Sequence, residues 1–229
     1  MNMMKKQYSI AIDGPSGSGK STLSKAIANE LGILYVDTGA IYRTIGYYLF
    51  CHKLDPKKEA EVMSVLPQLC IEMKYESDGL QHMYLDGKDV TKEIRLPEVS
   101  MYASDCSAHA KVRAFLLEMQ RRLAREQSVI MDGRDIGTIV LPDAEVKVFL
   151  TASPEIRAQR RYKELMERGT EKAYAEVLAE LIERDYNDTH REVAPLRPAE
   201  DSVSVDTSAL DFEQSKQTVL SVIREKVGL

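Results

Sequence analysis

No apolar run in this chain of 229 residues approaches the roughly 20 residues that a membrane-spanning helix needs, which argues against a membrane protein. Cysteine is equally scarce. Cys51, Cys70 and Cys106 are odd in number and far apart, no CxxC pair occurs, and only four histidines stand elsewhere. That pattern argues against a disulfide framework and a structural zinc site, and reduced thiols suit the cytoplasm. Positive charge is in deficit: 31 Lys and Arg against 36 Asp and Glu leave a net charge of −5 and a pI near 5.5. A broad surface for nucleic acid, which needs many cationic contacts to phosphates, is therefore not expected, whereas a small phosphorylated ligand needs only a local cluster. Tandem repeats and long low-complexity segments are lacking. Met1 to Lys6 carries two lysines, but the residues after it make a polar-punctuated strand and turn rather than the apolar run and cleavage site of a signal peptide. A cytoplasmic protein with a real core, built as one domain or one with an insertion, is the expectation.

What is present begins with IAIDGPSGSGKST at residues 10–22. Gly14, Gly17 and Gly19 let the chain turn tightly and approach a ligand without side-chain clashes, so that successive N–H groups point at one anion. Gly14, Gly19, Lys20 and Ser21 have the spacing of a phosphate loop, and Pro15, Ser16, Ser18 and Thr22 complete the stretch that would line a nucleoside triphosphate. Lys20 would reach the β- and γ-phosphates, and the Ser21 hydroxyl would sit at Mg²⁺. The context agrees. Tyr8 to Ile12 reads as a buried strand, and Leu23, Ile27, Ala28 and Leu31 recur with the period of a helix whose positive end would open at the phosphates. A ligand-free Gly/Ser turn is the weaker alternative.

Ile33 to Val36 reads as a second strand ending in Asp37-Thr38-Gly39, followed by a helix from about Ala40 to Cys51 and, after Asp55-Pro56, another to about Leu66. Leu69 to Tyr75 alternates apolar and polar residues, Asp78-Gly79 makes a turn, Met83 to Leu85 resumes and Asp86-Gly87 turns again, the pattern of a small antiparallel insertion. Helical periodicity returns from about Pro97 to Gln127. Ser128 to Met131 and Val146 to Leu150 have the short apolar runs of central parallel strands. Pro154 to Arg168 and Tyr174 to Tyr186 are helical, Val203 to Val205 is a last strand and Phe212 to Val227 a last helix. The alternation predicts an α/β P-loop NTPase fold, a central parallel sheet flanked by helices with ligands at its carboxyl ends. The expected division is a P-loop core at 1–66 and 108–229, with a short lid at about 155–170, and an inserted region at 67–107.

A phosphate loop does not choose between a motor, a switch and a kinase. An acceptor that itself carries phosphate would need several arginines, whose planar forks match phosphate oxygens. In VDTGAIYR, Thr38 ends a strand and Arg43 follows little more than a helical turn later. In VIMDGRDIGT, a strand delivers Asp132, Arg134 and Asp135 to the ligand edge of the sheet. In RDYNDTHREVAP, Arg184, Asp188 and Arg191 are spaced i, i+4 and i+7, one helical face if the helix continues that far. A solvated face with ion pairs explains Arg184 and Asp188 as well. Arg157, Arg160 and Arg161 share a face of another helix, either a basic exposed surface or a lid whose guanidiniums close over the transferring group, with Gly169 as its end or hinge.

GPSGSGKST, VDTGAIYR, MDGRDIGT, VKVFLTAS, RDYNDTHREVAPL and VDTS, in this order, resemble the bacterial cytidylate kinases over essentially the whole chain. The phosphate loop is widely shared; the DGRD and RDxxDxxRxxAPL blocks are far more specific. The resemblance implies ATP- and Mg²⁺-dependent phosphorylation of CMP or dCMP by a monomer, with 67–107 as part of the monophosphate-binding region. It places Thr38, Arg43, Arg134 and Arg191 at the acceptor's phosphate, Ser104, Arg113 and Asp135 at the cytosine, and Arg184 and Asp188 at the pentose. Asp132 belongs with the substrate set. Lys20, Arg134, Arg157 and Arg161 would act on the transferring group, and Arg160 on the donor nucleotide. Many relatives have Ser where Thr38 stands, which keeps the hydroxyl, and some have Gly in place of Ser21, which here completes the loop. A regulatory GTPase would show an NKxD-type segment, which is absent, and a kinase for a non-nucleotide acid would have less use for Ser104, Arg113 and Asp135 together.

Overall fold

The computed structural model describes residues 7–167 and 169–228; the reading of Met1 to Lys6, and of Arg168 as a helix end, falls outside them. The chain runs β1 (Ser9–Asp13), α1 (Lys20–Leu31), β2 (Leu34–Asp37), α2 (Thr38–Cys51), α3 (Glu59–Val65), β3 (Ile71–Tyr75), β4 (Gln81–Leu85), β5 (Lys88–Asp89), α4 (Pro97–Cys106) and α5 (Ala110–Glu126). It continues with β6 (Val129–Gly133), β7 (Val146–Thr151), α6 (Pro154–Glu167), α7 (Tyr174–His190), β8 (Val203–Asp206) and α8 (Phe212–Val227). Five strands make the central sheet in the order β2-β6-β1-β7-β8, with β1 parallel to β6 and β7, and β8 parallel to β7. The expected α/β architecture is present. Among the described residues no helix is long and apolar enough to cross a membrane.

Two compact units emerge, residues 1–35 with 123–229, and residues 36–122. The first has its core on both sides of β1: Ile10 and Ile12 pack with Ile27 of α1, Val148 of β7 and Val219 and Ile223 of α8. The second has a separate core, in which Ile41, Ile45 and Leu49 of α2 meet Val62, Met83, Val99 and Leu116. This second unit is wider than the inserted region expected at 67–107, because the apolar face of α2 is buried against the small sheet and α4. That sheet is antiparallel, Met73 opposite Met83, and its hairpins turn at Gly79 (φ 71°) and at Asp86-Gly87 (φ 51° and 80°), as the DG pairs require.

Two local readings are corrected, the unbroken helix from Pro97 to Gln127 and the helical position of Arg191. The helix expected from Pro97 to Gln127 is broken into α4 and α5 because Ser107 Oγ donates to the Ser104 carbonyl and Ala108 and His109 form tight turns onto Asp105 and Cys106. The segment after Asp135 is a π-helical turn, Ile136–Val140. Arg191 lies just beyond α7 with extended backbone, so the i+7 position is off the helix.

Candidate functional site

In the first unit the loop between β1 and α1 is shaped by its glycines. A Cβ on Gly14 (φ 151°) would lie 1.9 Å from the Leu150 carbonyl oxygen of β7, so no other residue fits. Gly17 (φ 74°) and Gly19 (φ 88°) take left-handed backbone, which turns the chain into the first turn of α1, where N–H groups lack helical acceptors. Pro15 and Ser18 are buried, Ser16 and Gly17 half-buried, and Gly19, Ser21 and Thr22 exposed at the loop's open side. Lys20 is 6% exposed, and its Nζ donates to the Pro15 carbonyl at 2.7 Å and to Ser18 Oγ at 3.4 Å. Burial, and then the neighbouring Arg134, push its ammonium down to about 7 against the pull of Asp132, Asp13 and Asp188. An anion seated in the loop would add counter-charge beside this buried cation and favour its charged form.

Ser21 Oγ donates to Asp132 Oδ2 at 2.7 Å, and Tyr35 Oη donates to the other oxygen, Oδ1, at 2.9 Å. Asp132, assigned to the substrate set on sequence, is thus joined directly to the phosphate loop. A serine hydroxyl and a carboxylate side by side are hard oxygen donors of the kind Mg²⁺ takes, usually with waters and substrate phosphates completing its shell.

The three arginines of α6 have different surroundings. Arg157 is buried; its Nε donates to the Ala152 carbonyl at 2.8 Å, its Nη1 to the Ser16 carbonyl at 3.1 Å, and its Nη2 pairs with Asp185 at 2.6 Å. Arg160 donates to the Ser18 carbonyl at 3.4 Å and to Thr207 Oγ1 and O at 3.1 and 2.8 Å. Arg161 is half-buried and reaches Glu164 at 2.8 Å. Two of the three therefore touch the loop's backbone carbonyls. Gly169 (φ 73°) follows in left-handed conformation.

Beside the loop stands an ionic cluster. Arg134 Nε donates to Asp188 Oδ2 at 2.7 Å, and Arg191 lies 3.9 Å from Asp188 Oδ1 and 3.8 Å from Asp135 Oδ1. Burial would raise the Asp188 carboxyl, but Arg134, Arg184 and Arg191 hold it below the ordinary range. Sequence spacing anticipated these five residues but not the support beneath them. Asp13, 5% exposed, accepts from Ile136 N at 2.8 Å and Gly137 N at 2.7 Å, tying the end of β1 to the segment that carries Arg134 and Asp135.

The second unit holds the remaining candidates in two groups. Thr38 is buried at the start of α2, and Arg43 Nη2 pairs with Asp37 at 2.9 Å. At the break between α4 and α5, Ser107 links the other two: its hydroxyl donates to the Ser104 carbonyl at 2.8 Å while its own carbonyl accepts from Arg113 Nη1 at 3.2 Å. Arg113 is buried with its guanidinium 5.4 Å from the centre of the Tyr42 ring. Asp13 and Asp37 were legible as members of their motifs, Tyr35 and Ser107 only as positions in a strand and a helix, and no spacing rule assigns any of them these bonds.

The family model described as Cytidylate kinase matches residues 10–225. Cytidylate kinase of Caldicellulosiruptor bescii is 48% identical over 222 residues, covering 97% of this chain and 98% of that protein. Cytidylate kinase of Thermosipho melanesiensis is 48% identical over 220 residues, covering 96% and 98%. Among solved structures, an uncharacterized protein from Eubacterium ventriosum is similar in fold with a TM-score of 0.50 at 12% identity, covering 95% of this chain and 98% of that one.

Proposed function

The chain belongs to the cytidylate kinase family, and on that premise we propose that it transfers the γ-phosphoryl group of ATP to CMP or dCMP, giving CDP or dCDP and ADP. The observation that carries this reading is the near-complete correspondence with two cytidylate kinases at 48% identity. The bonded pairs Ser21–Asp132 and Arg134–Asp188 support it, because they join the phosphate loop to DGRD and DGRD to the RDYND helix.

In this reading Lys20 and the backbone N–H groups of Ser16 to Thr22 cradle the donor's phosphates, with Arg160 on the donor side. Thr38, Arg43, Arg134 and Arg191 hold the acceptor phosphate, Ser104, Arg113 and Asp135 read the cytosine, and Arg184 and Asp188 hold the pentose. Arg157 and Arg161 add charge around the transferring group. Ser21 and Asp132 would hold Mg²⁺, which would supply charge neutralisation to the phosphoryl group in transfer. The nucleophile is already a phosphate oxygen, so no residue needs to remove a proton. The protein's work is alignment and electrostatic stabilisation, with water kept out by the lid. The reading requires no nucleic acid and no membrane, and it assigns the chain to the cytoplasm as a monomer.

Initial rates with ATP and Mg²⁺ against CMP, dCMP, UMP, AMP and GMP, with the diphosphate product identified directly, test it. Fast and selective formation of CDP and dCDP is the expected result. Nucleotide binding without transfer to any monophosphate would overturn the acceptor assignments and leave the phosphate loop standing.

A further inference from the structure

Strand β7 carries one charged residue, Lys147, in the stretch VKVFLT. Val146, Val148 and Leu150 belong to the first unit's core, and strand alternation turns Lys147 to the other face of the sheet. Its side chain is 8% exposed. The ammonium donates to the Pro142 carbonyl, and to Asp201 Oδ1 and Oδ2 at 2.9 and 2.8 Å. Three acceptors thus answer the three N–H donors of an ammonium, leaving none for a nucleotide. Asp201 is 63% exposed and stands just before β8, whose Val203 is in register with Val148 of β7. A buried cation of this kind is weak evidence for stability, since apolar side chains of similar volume often serve as well. What the ammonium adds is a fixed direction toward particular oxygens.

The Pro142 carbonyl ends the segment that leaves β6 with Arg134 and Asp135. The π-helical turn Ile136–Val140 between them is closed onto its own start: Ile139 N and Val140 N donate to the Asp135 carbonyl at 2.9 and 3.1 Å, and Leu141 N to the Ile136 carbonyl at 2.7 Å. Asp13 of β1 holds the near end of this turn through the Ile136 and Gly137 amides. Lys147 of β7 holds the far end at Pro142. Gly137 lies between the two side chains: a Cβ there would stand 3.2 Å from Lys147 Cδ and 3.4 Å from Asp13 Oδ2. The lysine stem therefore packs against the same turn whose end its ammonium fastens. Because the turn is bonded back to Asp135, a shift at Pro142 is passed on to Asp135 and its neighbour Arg134 rather than absorbed by a slack loop.

We propose that Lys147 is a positioning residue for the acceptor site, its ammonium, held by Asp201, fixing the DGRD segment against β7 so that Arg134 and Asp135 meet the monophosphate in register. This rests on the assignment of Arg134 and Asp135 to the acceptor. The test measures kcat and KM for CMP, UMP and ATP in the wild type, in Lys147→Met, which keeps the stem and removes the ammonium, and in Asp201→Ala, which removes the counter-ion from an exposed position. Urea unfolding gives the fraction of each protein folded under the assay conditions. Lys147→Met is expected to lose on the order of tenfold in kcat/KM for CMP, to narrow the preference for CMP over UMP and to keep KM for ATP within about twofold, because misplacement of the acceptor's partners leaves the donor loop in place. Asp201→Ala is expected to move the same quantities in the same direction by less, and it decides the matter if Lys147→Met does not fold. Unchanged kinetics per folded molecule, or an equal rise in KM for CMP and ATP, overturns the proposal while wild-type turnover of CMP leaves the acceptor reading intact. A wild type that phosphorylates no monophosphate overturns both.

Discussion

Asp13 carries two backbone amides and an unfavourably placed charge at once. Burial raises its carboxyl to about 6, although the N–H groups of Gly137 and Ile136 favour the ionised form. A carboxyl raised in the folded state contributes stability that is complete below its ordinary value near 4 and is lost as pH rises through 6. The loss is on the order of 3 kcal/mol. Chemical denaturation of the wild type and Asp13→Asn from pH 4 to 7 should show it: the wild type loses more stability over that window than the variant, which has nothing to titrate there. Parallel profiles would mean that Asp13 ionises normally. The same residue shows where sequence reading stops. Lys20 and Ser21 are legible because the phosphate loop is a local pattern, whereas the partners of Asp13 stand 123 and 124 residues away. The ion pair of Arg95 with Asp37 is hidden for the same reason, since the two stand far apart in the chain.

At the scale of elements, the approach of α2 to α4 depends on one missing methyl group. A Cβ on Gly46 would lie 2.7 Å from the Ala103 amide nitrogen and 3.0 Å from the Val99 carbonyl oxygen. In an isolated helix Gly→Ala gains up to about 1 kcal/mol. Here the added atom meets backbone that has no rotamer to yield, and overpacking of that kind costs about 1–3 kcal/mol. Gly46→Ala is therefore expected to be destabilising in urea or thermal unfolding, and a stabilised variant would show that the two helices separate freely. Most elements were readable from periodicity and turn residues, the DG hairpins most directly. The break between α4 and α5 was not, because apolar spacing is continuous across it and the interruption is made by the Ser107 hydroxyl and carbonyl. Arg113 and Ser104 owe their common partner to that break.

At the scale of the whole molecule, the two compact units have separate cores. Met83 is fully buried in the second. Truncating such a side chain costs about 2–5 kcal/mol, and with separate cores the loss should be felt locally first. Hydrogen exchange of Met83→Ala is expected to accelerate across residues 36–122 more than in β1 and β7; uniform acceleration would mean that both cores unfold as one. Nearest-neighbour spacing along the chain was sufficient for the phosphate loop, the alternation of strands and helices, and the arginine-bearing blocks, because each is specified by residues within a few turns of one another. The folded chain was needed for the rest: the junction of Ser21 with Asp132, the support of the DGRD segment by Asp13, the limits of the second unit and the sharing of Asp37 by two arginines. Those depend on side chains that meet only after strands and helices pack, and the pairwise bonds that result leave no period or spacing in the sequence.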